Sequence, residues 1–181
     1  ASAVENTLDF ATSMLPNLLY KRMDEIGLDF SMMYPGIGLV ALTFPDADVR
    51  RAGCRALNRY YADTFREFSG RMRPVAIIPM HTPEEALAEL DHAVNQLGFK
   101  AVLFPSYIRR PIPAAVRQFP EAARYAYRVD TFGIDSEHDY DPVWRRCLEL
   151  KVLPSFHGAG EGLVLRSSIS NYCYNHIGHF A

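Results

Sequence analysis

The sequence predicts an α/β fold built on a parallel sheet, and three observations predict it. Its strand candidates, such as "PVAIIPM" (74–80) and "AVLF" (101–104), are almost continuously apolar, as strands covered on both faces are. Between them lie stretches of helical period with explicit start and stop signals. The chain of 181 residues, 49% hydrophobic and 22% charged, is long enough and apolar enough for one sizeable core, so a single domain over 1–181 is expected.

The first strand is expected within "IGLDFSMMYPG" (26–36), where Pro-Gly ends an apolar run. A helix follows in "FPDADVRRAGCRALNRYYADTFREF" (44–68): Val49, Ala52, Ala56, Tyr60 and Phe68 recur at helical spacing, and Asp46 or Asp48 can cap it. Val75 to Ile78 read as a buried strand. Thr82-Pro83-Glu84-Glu85 then combines a capping box with proline at the first helical position, and Gly98 closes a stripe of Leu87, Leu90, Val94 and Leu97. "FKAVLFPSY" (99–107) is the next strand, "YDPVWRRCLELK" a helix with Asp141 as cap, and "VLPSF" (152–156) a strand ending at His157. "SSISNYCYNHIGHF" (167–180) is predicted helical.

An open doubly wound sheet and a (β/α)8 barrel both fit this alternation. No strand is followed by a G-x-G-x-x-G phosphate turn, which favours the barrel. A complete barrel takes about 250 residues, so the barrel is expected to be incomplete here.

A formal net charge of −2, without a basic block, gives no reason to expect a nucleic-acid or membrane partner; a small molecule is expected, with a homo-oligomer compatible. Cys54, Cys147 and Cys173 are widely spaced and fit neither a disulfide framework nor a C-x-x-C metal site. With no leader pattern and no apolar run near ~18 residues, a cytoplasmic setting is expected.

Parallel α/β sheets carry their sites at the carboxyl ends of the strands, which selects Tyr34, Met80 with His81, Ser106 with Tyr107, and His157. The segment 105–141 is far longer than an ordinary connection and reads as a lid-like insertion over that face. Its Arg109 and Arg110 suit a substrate carboxylate, as guanidinium forks do. Tyr34, His81, Arg109 and Arg110 are therefore the expected substrate-binding residues. His157 is a candidate metal ligand or a capped strand end, and "HIGH" (176–179) is a weaker metal candidate on one helix face. His92 is expected on the solvated side of its helix. No G-x-S-x-G elbow is present, so nucleophilic triad chemistry has little support.

Taken together and in order, "LYKRMDEIGLDFSMMYP", "CRALNRYYAD", "GRMRPVAIIPMHTPEEALAELDHAVNQLGFKAVLFPS", "DYDPVWRRCLELKVLPSFHG" and "SISNYCYNHIGHFA" resemble the amidohydrolase-related family, which includes aminocarboxymuconate-semialdehyde decarboxylase. The resemblance implies a TIM-like metal-dependent hydrolase barrel with a divalent metal, zinc first, at the strand ends. It implies that His157 is the metal-ligating histidine of the fifth strand. The family's His-x-His and last-strand aspartate have no counterpart here, and are expected before Ala1 and after Ala181.

The activity so implied is hydrolysis of a small carboxylated substrate by metal-activated water. Nonhydrolytic decarboxylation by the same ion is the alternative. The rival of another class is a non-catalytic binding or oligomeric scaffold that lacks the metal centre.

Overall fold

The computed structural model describes residues 7–121 and 125–158. The helix expected over 167–180, with His176, His179 and Cys173, lies outside the described residues, as does Arg124. Two short helices, α1 (Thr7–Met14) and α2 (Pro16–Arg22), precede the first strand, β1 (Ser31–Met33). Arg22 fastens them by donating to Asp9 at 3.0 Å, to Thr12 and to both Glu25 oxygens. A 3-10 stretch, Ile37–Thr43, leads to α3 (Ala47–Phe65), which Asp46 caps by accepting from the Val49 amide at 2.9 Å.

The second strand comes in two pieces, β2 (Met72–Pro74) and β3 (Ala76–Ile77). Pro74 has no N–H to donate, and the Val75 amide between the pieces donates to Met33 O at 3.0 Å. The first piece pairs in parallel with β1; the second pairs in parallel with β4 (Ala101–Pro105). β4 pairs in parallel with β7 (Leu153–His157), in the register that sets Pro105 beside His157. Spatial order thus follows chain order. The helices follow suit, with α3 against β2 and β3, α4 (Pro83–Asp91) against α3, and α6 (Asp141–Leu150) against α4. A doubly wound sheet would reverse direction at a switch point, whereas this one-way progression is how a barrel wall grows. Among the described residues the wall is open, not closed.

The core lies between wall and helices: Ala76, Ile78, Met80, Leu90, Phe104 and Val143 are fully buried in one cluster, and Val75, Ile77, Leu103 and Cys54 belong to a second. Cys54 and Cys147 are free and buried. Burial, then the Glu89 charge, pushes the Cys54 thiol up to about 12, so it is no nucleophile.

Several local expectations need correction. The buried face of α3 is Arg50, Cys54, Asn58 and Phe65, not the stripe through Val49 and Tyr60, which are more than half exposed. That polar face is buried because α4 answers it. Arg50 donates to both Glu85 oxygens at 3.1 and 2.6 Å, Arg55 to Glu89 at 2.6 Å, and Asn58 to Glu89 at 2.8 Å. His92 is buried, not solvated: the last turn of the helix widens into a π-turn (His92–Gln96), and its Nδ1 meets Gln96 Oε1 at 2.7 Å. Asp141 opens α6 without capping it; its amide receives the Asp139 carboxylate at 2.9 Å. β7 is exposed along much of its length, because it is the edge of the described sheet. Thr82 and Gly98 behave as expected: Thr82 Oγ1 accepts from the Glu85 amide at 3.2 Å, and Gly98 has φ +79°.

Asn58 also binds both backbone groups of Ile77, accepting from its amide and donating to its carbonyl, each at 2.9 Å. Asn58→Leu removes these bonds where water cannot replace them. A loss of about 2–3 kcal/mol in unfolding free energy is expected, checked by urea titration.

Candidate functional site

The insertion 105–141 forms an antiparallel hairpin, β5 (Ile108–Pro111) with β6 (Tyr127–Asp130), joined through α5 (Pro113–Gln118). It begins directly after β4 and stands over the carboxyl ends of the strands. There, a cavity of about 240 Å³ opens between three connections: Leu42, Thr43 and Pro45 after β1, His81 after β3, and Tyr107, Ile108 and Arg109 after β4.

The cavity walls are fixed from behind. Arg50 Nη1 donates to the carbonyls of Phe44 and Pro45 at 2.6 and 3.2 Å while its other nitrogens hold Glu85, so the ion pair between α3 and α4 also sets the 44–45 loop. Arg110 secures the hairpin. Its Nε donates to Asp130 Oδ2 at 2.9 Å, Nη1 to the His81 carbonyl at 2.7 Å, and Nη2 to the Tyr140 hydroxyl at 3.0 Å. Tyr140 in turn donates to the Met80 carbonyl at 2.6 Å. Two consecutive carbonyls at the end of the second strand are therefore gripped by the lid and by the residue before α6. Asp130 completes the grip by accepting from the Phe132 amide at 2.9 Å and Ser136 Oγ at 3.0 Å, and Phe132 adopts φ +64° in that turn. Arg109 lies over the Tyr127 ring at 4.5 Å.

The electrostatics follow from this packing. Burial alone would raise the Asp130 carboxyl, but bonds from the Phe132 amide, Arg110 and Ser136 outweigh it and hold the group below its ordinary range. Burial lifts the Tyr140 phenol to about 12, against the opposing pull of Arg110. Burial first, then the Arg50 and Arg110 charges, pushes the His81 imidazole down to about 3. Its Nδ1 is sealed from solvent without a hydrogen-bond partner.

His81 is accordingly expected to stay neutral through the physiological range. The unfolded chain takes up that proton below pH 6.5 and the native chain does not, so stability is full above 6.5 and falls as pH drops toward about 3. The slope should approach ~1.4 kcal/mol per pH unit. Comparing urea unfolding at pH 7 and pH 5 for wild type and His81→Gln checks this: the variant should lose part of the acid sensitivity.

His81 and Arg109 thus meet in one cavity. Arg110 stands behind it with its three nitrogens engaged by the protein itself. Tyr34 is elsewhere: it lines a cavity of about 460 Å³ with Met14, Leu19, Tyr60 and Tyr61, between the first two helices and α3. His157 ends β7 beside β4, where its carbonyl accepts from the Ser106 amide at 2.9 Å. Its ring is exposed, and Nδ1 lies 2.7 Å from the Gly158 carbonyl. That contact places the proton on Nδ1 and leaves the Nε2 lone pair outward, the arrangement an imidazole needs to bind a metal. Among the described residues, no group of three His, Cys, Asp or Glu side chains comes together as a metal site. Among the same residues, no helix is long and apolar enough to cross a membrane.

The sequence did not single out Arg50, Tyr140 or the 42–45 wall. The spacing of Arg50 and Asn58 against Glu85 and Glu89 was the available signal for the first.

The chain belongs to the amidohydrolase family, whose model matches residues 15–176. Its wall of strands is similar to solved barrels of that superfamily. One is the 2,6-dihydroxybenzoate decarboxylase from Rhizobium, at TM-score 0.61 and 19% identity over 85% of this chain and 42% of that one. Another is a dihydroxybenzoic acid decarboxylase from Polaromonas with bound manganese and 2-nitroresorcinol, at TM-score 0.59 and 20% identity over 88% and 41%. A third, the 5-carboxyvanillate decarboxylase from Novosphingobium aromaticivorans with manganese and 3-methoxy-4-hydroxy-5-nitrobenzoic acid, gives TM-score 0.53 and 21% identity over 76% and 33%. The chain thus spans about two fifths of the first two and a third of the last. No curated protein matches it.

Proposed function

We infer that the complete protein is a divalent-metal-dependent enzyme that cleaves a bond in a small carboxylated substrate, with His157 among its metal ligands and the His81–Arg109 cavity holding the carboxylate. The observation that carries this is the cavity's position: a guanidinium and a polar imidazole among apolar walls at the carboxyl ends of parallel strands. The outward Nε2 of His157 fits a metal, and the ligands that would complete its sphere are expected outside the described residues.

When bound, the ion supplies positive charge that polarises the substrate. Arg109 orients the carboxylate through charge-assisted hydrogen bonds, stacked on Tyr127 so that little rotamer freedom is lost. Leu42, Pro45 and Ile108 exclude water from the substrate's apolar part. The Nδ1 contact with Gly158 holds the His157 ring in one tautomer.

Hydrolysis and decarboxylation both use such a site. The likeness to decarboxylases of hydroxylated benzoates favours loss of carbon dioxide as the second reading, with manganese beside zinc as the ion to test. Full-length protein loaded with zinc or manganese should be tested against carboxylated aromatics, lactones and amides. Carbon dioxide release selects the lyase, release of an acid from a lactone or amide selects the hydrolase, and neither with a loaded metal sinks both in favour of a binding scaffold.

A further inference from the structure

The cavity holds an imidazole that has no bond to any protein group, set between guanidinium groups, and the lid grips the backbone of that same residue. We propose that the cavity is a subsite selective for a singly charged carboxylate: Arg109 supplies the charge, His81 supplies a neutral Nε2–H donor to the same anionic group, and Arg110 and Tyr140 are positioning residues that aim His81 through the carbonyls of residues 80 and 81. This rests on the reading above that the site takes a carboxylated substrate, and adds what kind of anion it accepts and how.

The tautomer follows from the surroundings. Arg110 Nη1 sits 2.7 Å from the His81 carbonyl, so its charge lies on the backbone side of the ring, where Nδ1 is. Nδ1 is sealed and has no acceptor for a proton. A lone pair facing that positive charge is favoured there, and an N–H is not. The single proton of the neutral ring therefore belongs on Nε2, the nitrogen left to a ligand in the cavity.

The groups facing His81 are Arg50 of α3 with its partner Glu85 of α4, Arg110 of β5 with Asp130 of β6, and Tyr140 before α6. Neither guanidinium is spare: each already holds a carboxylate and backbone carbonyls. Among the described residues lining the cavity, the formal charge is on Arg109, and the remaining lining is apolar or hydroxyl-bearing. One charge plus one neutral donor matches a monoanion. A dianion such as a phosphate monoester would leave a negative charge unanswered in a space bounded by Leu42, Pro45 and Ile108. A volume of about 240 Å³ also falls at the small end for ligand sites, which suits a compact acid.

The test uses the full-length protein, calorimetry, and benzoate and phenyl phosphate as probes at pH 7.5, with and without chelator. Benzoate is expected to bind about tenfold or more tightly than phenyl phosphate, and to do so after metal removal. His81→Phe should weaken benzoate ~10–100-fold, the worth of a hydrogen bond to a charged group, while His81→Gln, which keeps an N–H donor, restores most of it. Tyr140→Phe should weaken benzoate several-fold and move the His81 ¹⁵N signals.

Benzoate binding lost with the chelator assigns the anion to the metal and overturns the subsite. Equal binding of the two probes, or no change in His81→Phe, overturns it too. The ¹⁵N spectrum of the wild type needs no variant: a proton on Nδ1 overturns the donor assignment, and His81 signals unmoved in Tyr140→Phe overturn the positioning. Because binding is read without turnover, absence of catalysis leaves this result standing and fails only the functional reading above.

Discussion

Arg50→Leu is expected to lower the unfolding free energy of the full-length protein by about 3–5 kcal/mol. Its guanidinium is 4% exposed and its partner Glu85 carboxylate 5% exposed, so the change strands a buried negative charge far from water. It also releases the Phe44 and Pro45 carbonyls that Arg50 holds, so the 44–45 wall of the cavity loosens with it. The double variant Arg50→Leu with Glu85→Leu removes both charges and should recover most of the loss, because an apolar pair replaces an ion pair whose desolvation largely cancelled its attraction. Urea unfolding of the two single variants and the double variant measures this coupling. A single-variant cost below about 1 kcal/mol would mean that water reaches the pair.

His157→Ala should leave the fold nearly untouched and strip the metal. The ring is exposed at the edge strand, and its one bond is to the neighbouring carbonyl, so a stability change within ~0.5 kcal/mol is expected. Losing an outer partner of a metal ligand typically costs about 10–100-fold in affinity, and losing a ligand itself should exceed that. Elemental analysis of the purified full-length protein should show bound metal in the wild type, almost none in His157→Ala, and normal content in His138→Ala, a histidine of the lid. Equal metal in all three would remove His157 from the ligand set.

The α/β class, the order of strands and helices, and most helix starts were legible because they depend on local chemistry: Asp46 and Thr82 cap where their side chains can reach an amide, and Gly98 takes a positive φ that other residues resist. The buried face of α3 was not legible. Periodicity assigns apolar residues inward, whereas Arg50 and Asn58 point inward because Glu85 and Glu89, more than 30 positions away, answer them. The site divided the same way. Strand-end logic found His81 and Arg109, which share a cavity, and also Tyr34, which lies in another, since the rule names an end of the sheet and not a distance between side chains. Arg110 looked identical to Arg109 in sequence. Strand alternation sends neighbours to opposite faces, one toward the cavity and one toward Asp130 and Tyr140.

The ion pair joining α3 to α4 also bears on heredity. A lineage cannot cross from arginine to an uncharged side chain at position 50 without passing through a crippled intermediate, unless position 85 has already become neutral. Homologous chains should therefore carry either both charges or neither, and mixed pairs should be rare.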